Sequence, residues 1–250
     1  NGEIDVVDIR ISNVGGFAAL REDGSVVGWG DHAHAINSYY ADELSGEIDV
    51  TEIVNGADSF AALRENGSII SWGDWSFNYN QLNEGAVEVL DELMNSNDFV
   101  KIIPSAIYNS FVALRDDGSI FLWGTPNSSS QDPNTSQELS GEIDVIEVIP
   151  NYTTFSALRE DGSVVYFNNN SVNLIQGLSG NKDIEIIPNN NSFAAIKEDG
   201  SVITWGWTEH GGDSSAVTSE LSGEIDVIKI IPNNNSFAAL REDGSVITWG

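Results

Sequence analysis

The amino-acid sequence predicts an all-β protein: a β-propeller of six antiparallel blades, built as one domain over residues 1–250. Three observations predict it. A hairpin pattern starts at Phe17, Phe60, Phe111, Phe155, Phe193 and Phe237, and is cleanest over 237–250 as Phe-Ala-Ala-Leu-Arg-Glu-Asp-Gly-Ser-Val-Ile-Thr-Trp-Gly. A run rich in β-branched residues precedes each copy. The copies recur at roughly 40–50 residues, the interval of propeller blades. The alternative is six repeats of a seven-bladed or longer array.

The first strand of a repeat is read from near copies beginning at Gly2, Gly46, Gly141 and Gly223, each Gly-Glu-Ile-Asp-Val, with degenerate versions at Asn97 and Lys182. Pro104, Pro150, Pro188 and Pro232 close four of these strands, because proline cannot donate to a ladder. Asn189-Asn-Asn-Ser and Asn233-Asn-Asn-Ser are read as turns suited to left-handed geometry. The second strand follows, as in Phe60-Ala-Ala-Leu-Arg64, where Phe60 and Ala62 share one face and Ala61 and Leu63 the other. Asp-Gly in five copies, and Asn66-Gly67 in one, is read as a two-residue type I′ turn. The third strand ends on Trp29, Trp72, Trp123, Trp205 or Trp249, expected to pack between blades with each indole N–H satisfied locally. Repeat four departs, with Phe167-Asn168 there. The linkers 31–44, 74–94, 125–139, 169–178 and 207–221 carry almost all the variation in repeat length.

The pattern Ala-Leu-x-x-Asp-Gly-Ser-Val-x-x-Trp-Gly resembles the repeat of the regulator of chromosome condensation (RCC1-like) superfamily. It is similar above all to the bacterial members, which include the propeller-type β-lactamase inhibitor proteins. The resemblance covers all six repeats and implies the propeller fold. Members commonly have seven blades; six are countable here. Guanine-nucleotide exchange enters by analogy of fold alone. The recognition residues of the β-lactamase inhibitors sit in variable positions with no match in this chain.

Ten basic residues against 39 acidic ones leave a formal charge of −29. Such a surface repels phosphate backbones and anionic lipid, so neither nucleic acid nor a membrane surface is expected as a partner. There is no cysteine, hence no disulfide, thiolate metal site or cysteine nucleophile. No apolar run nears the roughly 18 residues that span a bilayer, so membrane insertion is not expected. The first residues form no signal peptide. The expectation is an extracellular or cell-surface protein, its signal removed or the chain belonging to a longer repetitive protein. Neighbouring repeats, or copies in a larger assembly, are then further partners.

The acidic Glu-Ile-Asp and Arg-Glu-Asp-Gly segments recur with the repeat, whereas an active site occurs once. No phosphate loop, dinucleotide motif or serine triad order appears. The expectation is a non-catalytic binding or structural module without a cofactor. The alternative is a lyase or hydrolase using a carboxylate-lined central funnel. The basic residue of each hairpin (Arg21, Arg64, Arg115, Arg159, Lys197, Arg241) is read as an ion-pair partner of nearby carboxylates. His32 and His34 form an i, i+2 pair able to chelate a metal, but a third or fourth ligand is undefined, and no metal is expected. Asn151-Tyr-Thr and Asn190-Asn-Ser match the glycan acceptor pattern, though their place favours a turn role. The linkers do not repeat, so recognition of a protein or carbohydrate is assigned to their aromatics. The expected surface centres on Tyr39, Tyr40, Trp75, Phe77 and Tyr79, with Trp207 and His210 peripheral.

Overall fold

The computed structural model describes residues 4–13, 15–30, 42, 44–73, 84–105, 109–124, 139–168, 171–180 and 184–250. They form two compact units, Asn1–Gly141 and Glu142–Gly250. Unit one holds three antiparallel sheets: β1 (Val6–Ile11), β2 (Gly16–Arg21) and β3 (Val26–Gly30); β4 (Val50–Asn55), β5 (Ser59–Arg64) and β6 (Ile69–Gly73); β7 (Phe99–Pro104), β8 (Phe111–Arg115) and β9 (Ile120–Trp123). Unit two holds β10 (Val145–Pro150), β11 (Phe155–Arg159), β12 (Val164–Asn168) and β13 (Ser171–Ile175); β14 (Glu185–Pro188), β15 (Ser192–Ile196) and β16 (Val202–Gly206); β17 (Val227–Pro232), β18 (Phe237–Arg241) and β19 (Val246–Trp249). Each sheet is a meander, and the six sheets match the six expected blades.

Two elements lie where linkers were expected. A helix, α1 (Glu84–Asn95), occupies much of the second linker. Its Leu93 is buried beside Phe99 and Trp123, and Val89 packs against the same cluster. Repeat four adds β13 to β12, with Asn168 opposite Ser171 at the hairpin end.

The second and third strands register as expected. The aromatic opening strand two faces the aromatic near the end of strand three, and the six pairs stack with ring centroids 5.3–5.6 Å apart. Phe167 takes the tryptophan position in repeat four, keeping the stack. The first strands carry a bulge near their start in five repeats, for example between Val50 and Glu52. An extra residue in one strand breaks period-two alternation, which is why these strands alternate only roughly.

The faces divide as the hairpin pattern predicts. Val54, Ala61, Leu63 and Ile69 of the second sheet pack against Phe99, Ile102, Phe111 and Trp123 of the third. Val50, Ile53, Phe60, Ala62 and Trp72 pack instead against Ala18, Leu20 and Val26 of the first. Within each unit, neighbouring sheets thus meet forward face to rear face, the rear face bearing the aromatic stack. The last two sheets repeat the arrangement. Leu44, Leu139, Leu178 and Leu221, which end four linkers, are all buried.

The Asp-Gly turn differs from the expected two-residue type I′ form. The Arg21 amide donates to the Ser25 carbonyl and the Gly24 amide to the Arg21 carbonyl, so the loop has three residues with Gly24 at φ 73°. This is the three-residue hairpin, in which glycine alone takes the left-handed position. The aspartate contributes its side chain instead: Asp23 Oδ1 accepts from the Ser25 amide at 3.1 Å and hydroxyl at 2.6 Å. Asn66 does the same for Ser68. Asn and Asp interchange here because both present that acceptor.

Three of the hairpin arginines bond the serine of their own turn. Arg64, Arg159 and Arg241 donate through Nε to Ser68, Ser163 and Ser245 at 2.6–2.7 Å. Direct ion pairs are seen for Lys197 with Asp199 (3.3 Å) and for Arg115. Arg115 reaches Asp98 at 2.6 Å and Glu92 of α1 at 2.5 Å, its guanidinium 4.4 Å from the Phe99 ring centroid.

Serine hydroxyls hold Asp23, Asp117, Asp199 and Asp243 below the ordinary carboxylate value. At Asp161 burial pushes upward most strongly, yet the bonds from Ser163 and the charge of Arg159 outweigh it. A depressed folded value means stability present above the unfolded pKa, about 3.9, and lost as pH falls through the folded one. Stability is therefore expected to drop as the solution is acidified below about pH 4. In Asp161→Asn, thermal melts across that window should show a smaller acid loss than in the parent. An equal loss would assign the acid sensitivity elsewhere.

Three indoles are satisfied across repeats, not locally as expected. Trp123 Nε1 donates to Ser71 Oγ (3.3 Å), Trp205 Nε1 to Ser156 Oγ (2.9 Å) and Trp249 Nε1 to the Gly211 carbonyl (3.0 Å). Trp72 Nε1 is buried without a partner. The reason is compositional: the pair matching Ser71 and Ala61, or Ser156 and Tyr166, is Ala18 and Gly28 in repeat one, with no hydroxyl. Ala18→Ser is expected to supply the acceptor and raise stability by about 1 kcal/mol in a denaturant melt. A loss of stability would show that the hydroxyl does not meet the indole.

Candidate recognition site

Of the seven aromatic residues assigned to recognition, Tyr39, Tyr40, Trp75, Phe77 and Tyr79 lie outside the described residues, as do His32 and His34. The structure brings together Trp207 and His210. The linker starts where β16 ends, at Gly206 with φ 107°. The Trp207 amide donates to the Asn191 carbonyl (3.0 Å), and a 3-10 turn follows over Thr208–His210. Gly211, at φ 90°, ends that turn, and a Cβ there would lie 2.8 Å from the Phe237 ring.

The Asn-rich turn fastens this segment. The His210 carbonyl accepts from Asn189 Nδ2 at 2.7 Å and from Ser192 Oγ at 2.5 Å, and His210 Nδ1 lies 2.8 Å from Asn191 Nδ2. Asn189 Oδ1 accepts from the amides of Asn191 and Ser192 and from the Ser192 hydroxyl, closing its own turn. The next residue, Gly211, takes the Trp249 indole on its carbonyl. The inner side of the linker is thus tied to the last two sheets.

Its outer side presents the rings. Trp207 is 53% exposed, and its ring centroid lies 4.7 Å from that of His210 at 34°. Ser214 Oγ bonds Thr204 Oγ1 at 3.0 Å, fixing the following stretch. The result is an apolar ring held by a fixed backbone, with an imidazole and turn amides beside it. A ligand meeting it gains ring contact without ordering the loop.

The sequence missed the part of Asn189 and Asn191 in this site. Both were assigned to turn geometry, and nothing in the spacing of 189–192 to His210 signals the contact. Asn151 illustrates the turn role alone. Its Oδ1 accepts from the Thr153 and Thr154 amides and the Thr154 hydroxyl, and at 4% exposure its side chain is closed to glycan attachment. Asn151 Nδ2 is buried without a partner, where Asn189 has the His210 carbonyl. Among the described residues, no group of three or more His, Asp or Glu could hold a metal ion, and no helix is long and apolar enough to cross a membrane.

No family model matches the chain, and no curated protein matches it. Among solved structures the chain is similar to human WBSCR16, at TM-score 0.52 and 16% identity over 100% of this chain and 77% of that one. Two others are the CRINKLY WD40 ectodomain of the Arabidopsis thaliana receptor kinase ACR4 (TM-score 0.48, 14% identity, 100% and 81% covered) and yeast RCC1 (Prp20) bound to Kap60 (TM-score 0.47, 13% identity, 98% and 70% covered). The fold is of β-propeller type. At these identities the likeness speaks for fold alone. The lowered carboxylates of the hairpins are repeated turn aspartates bonded to their own serines, a structural arrangement.

Proposed function

We propose that the chain is a non-catalytic recognition module that binds a protein or carbohydrate through its inter-repeat linkers, at an extracellular or cell surface. The observation that carries this reading is the exposed Trp207, stacked on His210 and held by a linker bonded to Asn189, Asn191 and Ser192. Blade-to-blade packing does not use this ring, and a fixed exposed indole suits the flat face of a sugar or an apolar side chain of a protein. Tyr39, Tyr40, Trp75, Phe77 and Tyr79 of the earlier linkers are proposed as further recognition residues. The charge of −29 favours a neutral glycan or a basic protein over an anionic ligand.

The test is a screen of neutral glycans and basic proteins, followed by Trp207→Ala. A recognition aromatic costs about 2 kcal/mol or more on truncation, roughly a 30-fold rise in Kd. The melt should stay unchanged, since the ring is exposed. Affinity that falls as salt is raised marks a basic protein, and affinity indifferent to salt a neutral glycan. Unchanged affinity in the variant would remove Trp207 from the site.

A further inference from the structure

Among the described residues, the first sheet of unit one and the last sheet of unit two each carry exposed apolar side chains, on faces of opposite kinds. The rear face of the first sheet, β1–β3, carries Val6, Ile9, Phe17 and Trp29. The equivalent rear face of the second sheet carries Val50, Ile53, Phe60 and Trp72, all buried against the repeat before. In the first sheet Ile9 is 50% exposed and Trp29 44%. The forward face of the last sheet, β17–β19, is open in the complementary sense. Its Val246, 59% exposed, and its exposed Ile231 stand where Ile69 and Val54 are buried against the third sheet.

We propose that the rear face of β1–β3 docks the forward face of β17–β19 from a second copy of this chain, head to tail. Every junction of a forward with a rear face inside each unit has this composition, so the occupant's chemistry is already displayed by the molecule. A polar feature points the same way. Ser71, the acceptor for the Trp123 indole, faces Ala61 across its hairpin. The same place in the last sheet is held by Thr248, opposite Ala238 and exposed. In the fifth sheet that place is Thr204, and the Trp249 indole goes to the Gly211 carbonyl instead, so Thr248 offers its hydroxyl to the Trp29 indole of the second copy on the Ser71 pattern alone.

The turn tip supplies a third match. Gly24, Gly67 and Gly200 each offer a carbonyl to the first-strand amide of the following repeat, at Val50, Phe99 and Val227. A Cβ on any of them would strike that repeat within 2.7 Å. Gly244 holds the same place with φ 83°, and nothing lies within 4 Å of its Cβ position. Its carbonyl fits the Val6 amide of the second copy. Because the two faces differ, the contact is heterologous and adds copies in a row. The shared negative charge opposes it, so salt strengthens it by screening.

The experiment measures mass in solution by sedimentation across a dilution series at low and high salt, with Ile9→Glu on one face and Val246→Glu on the other. The parent chain should form oligomers that grow with concentration and with salt, and each variant alone should lose self-association. Mixed, the two variants should form a dimer and stop, since each retains one intact face. Val6→Glu and Ile231→Glu repeat the scheme at independent positions. A monomeric parent at every concentration and salt overturns the proposal, as does a mixture without dimer. A rear-face variant whose melt falls at high dilution also overturns it, by showing that the face is already covered within one chain.

Discussion

Phe60→Ala is expected to lower the unfolding free energy by about 4 kcal/mol. Phe60 is fully buried, stacks on Trp72 at 5.5 Å, and sits in the cluster that joins the first two sheets. Truncation removes transfer free energy, leaves a cavity, and strips one face from the indole. The space is lined by side chains of two packed sheets together with Leu44, and only Met94, packed against the cluster, is a flexible neighbour. Against a typical stability of about 5–15 kcal/mol the loss would leave a narrow margin. The same residue type at the same repeat position behaves differently in Phe17. It stacks on the half-exposed Trp29 and is itself only partly buried. Phe17→Ala should therefore cost clearly less in the same urea titration on dilute protein. Equal losses would mean that packing between the first two sheets is not what Phe60 stabilises.

Gly24→Ala carries the second large effect, about 3 kcal/mol, from two causes that can be separated. The left-handed backbone at φ 73° costs a non-glycine residue about 1–2 kcal/mol. A Cβ there would also lie 2.6 Å from Asp49 Cβ and 2.7 Å from Asp49 Cα, immediately before the first strand of the next repeat. Backbone on one side leaves no flexible end to move away. Gly244→Ala meets only the first cause, its φ being 83° with open space around it. Denaturant melts should thus rank Gly24→Ala well below Gly244→Ala. If the two fall together, the turn does not press on the next repeat.

The hairpins were legible because their pattern encodes geometry directly. Alternation in Phe60-Ala-Ala-Leu assigned both faces correctly, since period two leaves no other reading. The turn was misread for a physical reason: Asp tolerates a left-handed backbone and also caps with its side chain, and the letters do not distinguish the two. Ser25, Ser68 and their equivalents, following each Gly, are the signal that could have decided it. Helix α1 was hidden by treating 74–94 as connection, although Val87, Leu90, Leu93 and Met94 fall at three- and four-residue spacings. The indole bonds were beyond local reading, because their acceptors belong to the preceding repeat. The candidate site was half legible. An exposed Trp207 beside His210 follows from linker composition, but the grip of Asn189 and Asn191 on His210 depends on how a turn in one strand connection meets the next linker.

The central claim is that the repeated residues clamp one blade to the next, leaving the linkers free for recognition. Native-state hydrogen exchange at the Val227 amide tests it most directly. That amide donates to the Gly200 carbonyl of the preceding repeat at 2.9 Å. It is expected to exchange as slowly as the Phe237 and Ala239 amides of the adjacent strand, and to lose protection in Gly200→Ala. Exchange at the rate of an exposed loop in the parent chain, with strand amides still protected, would contradict the clamp.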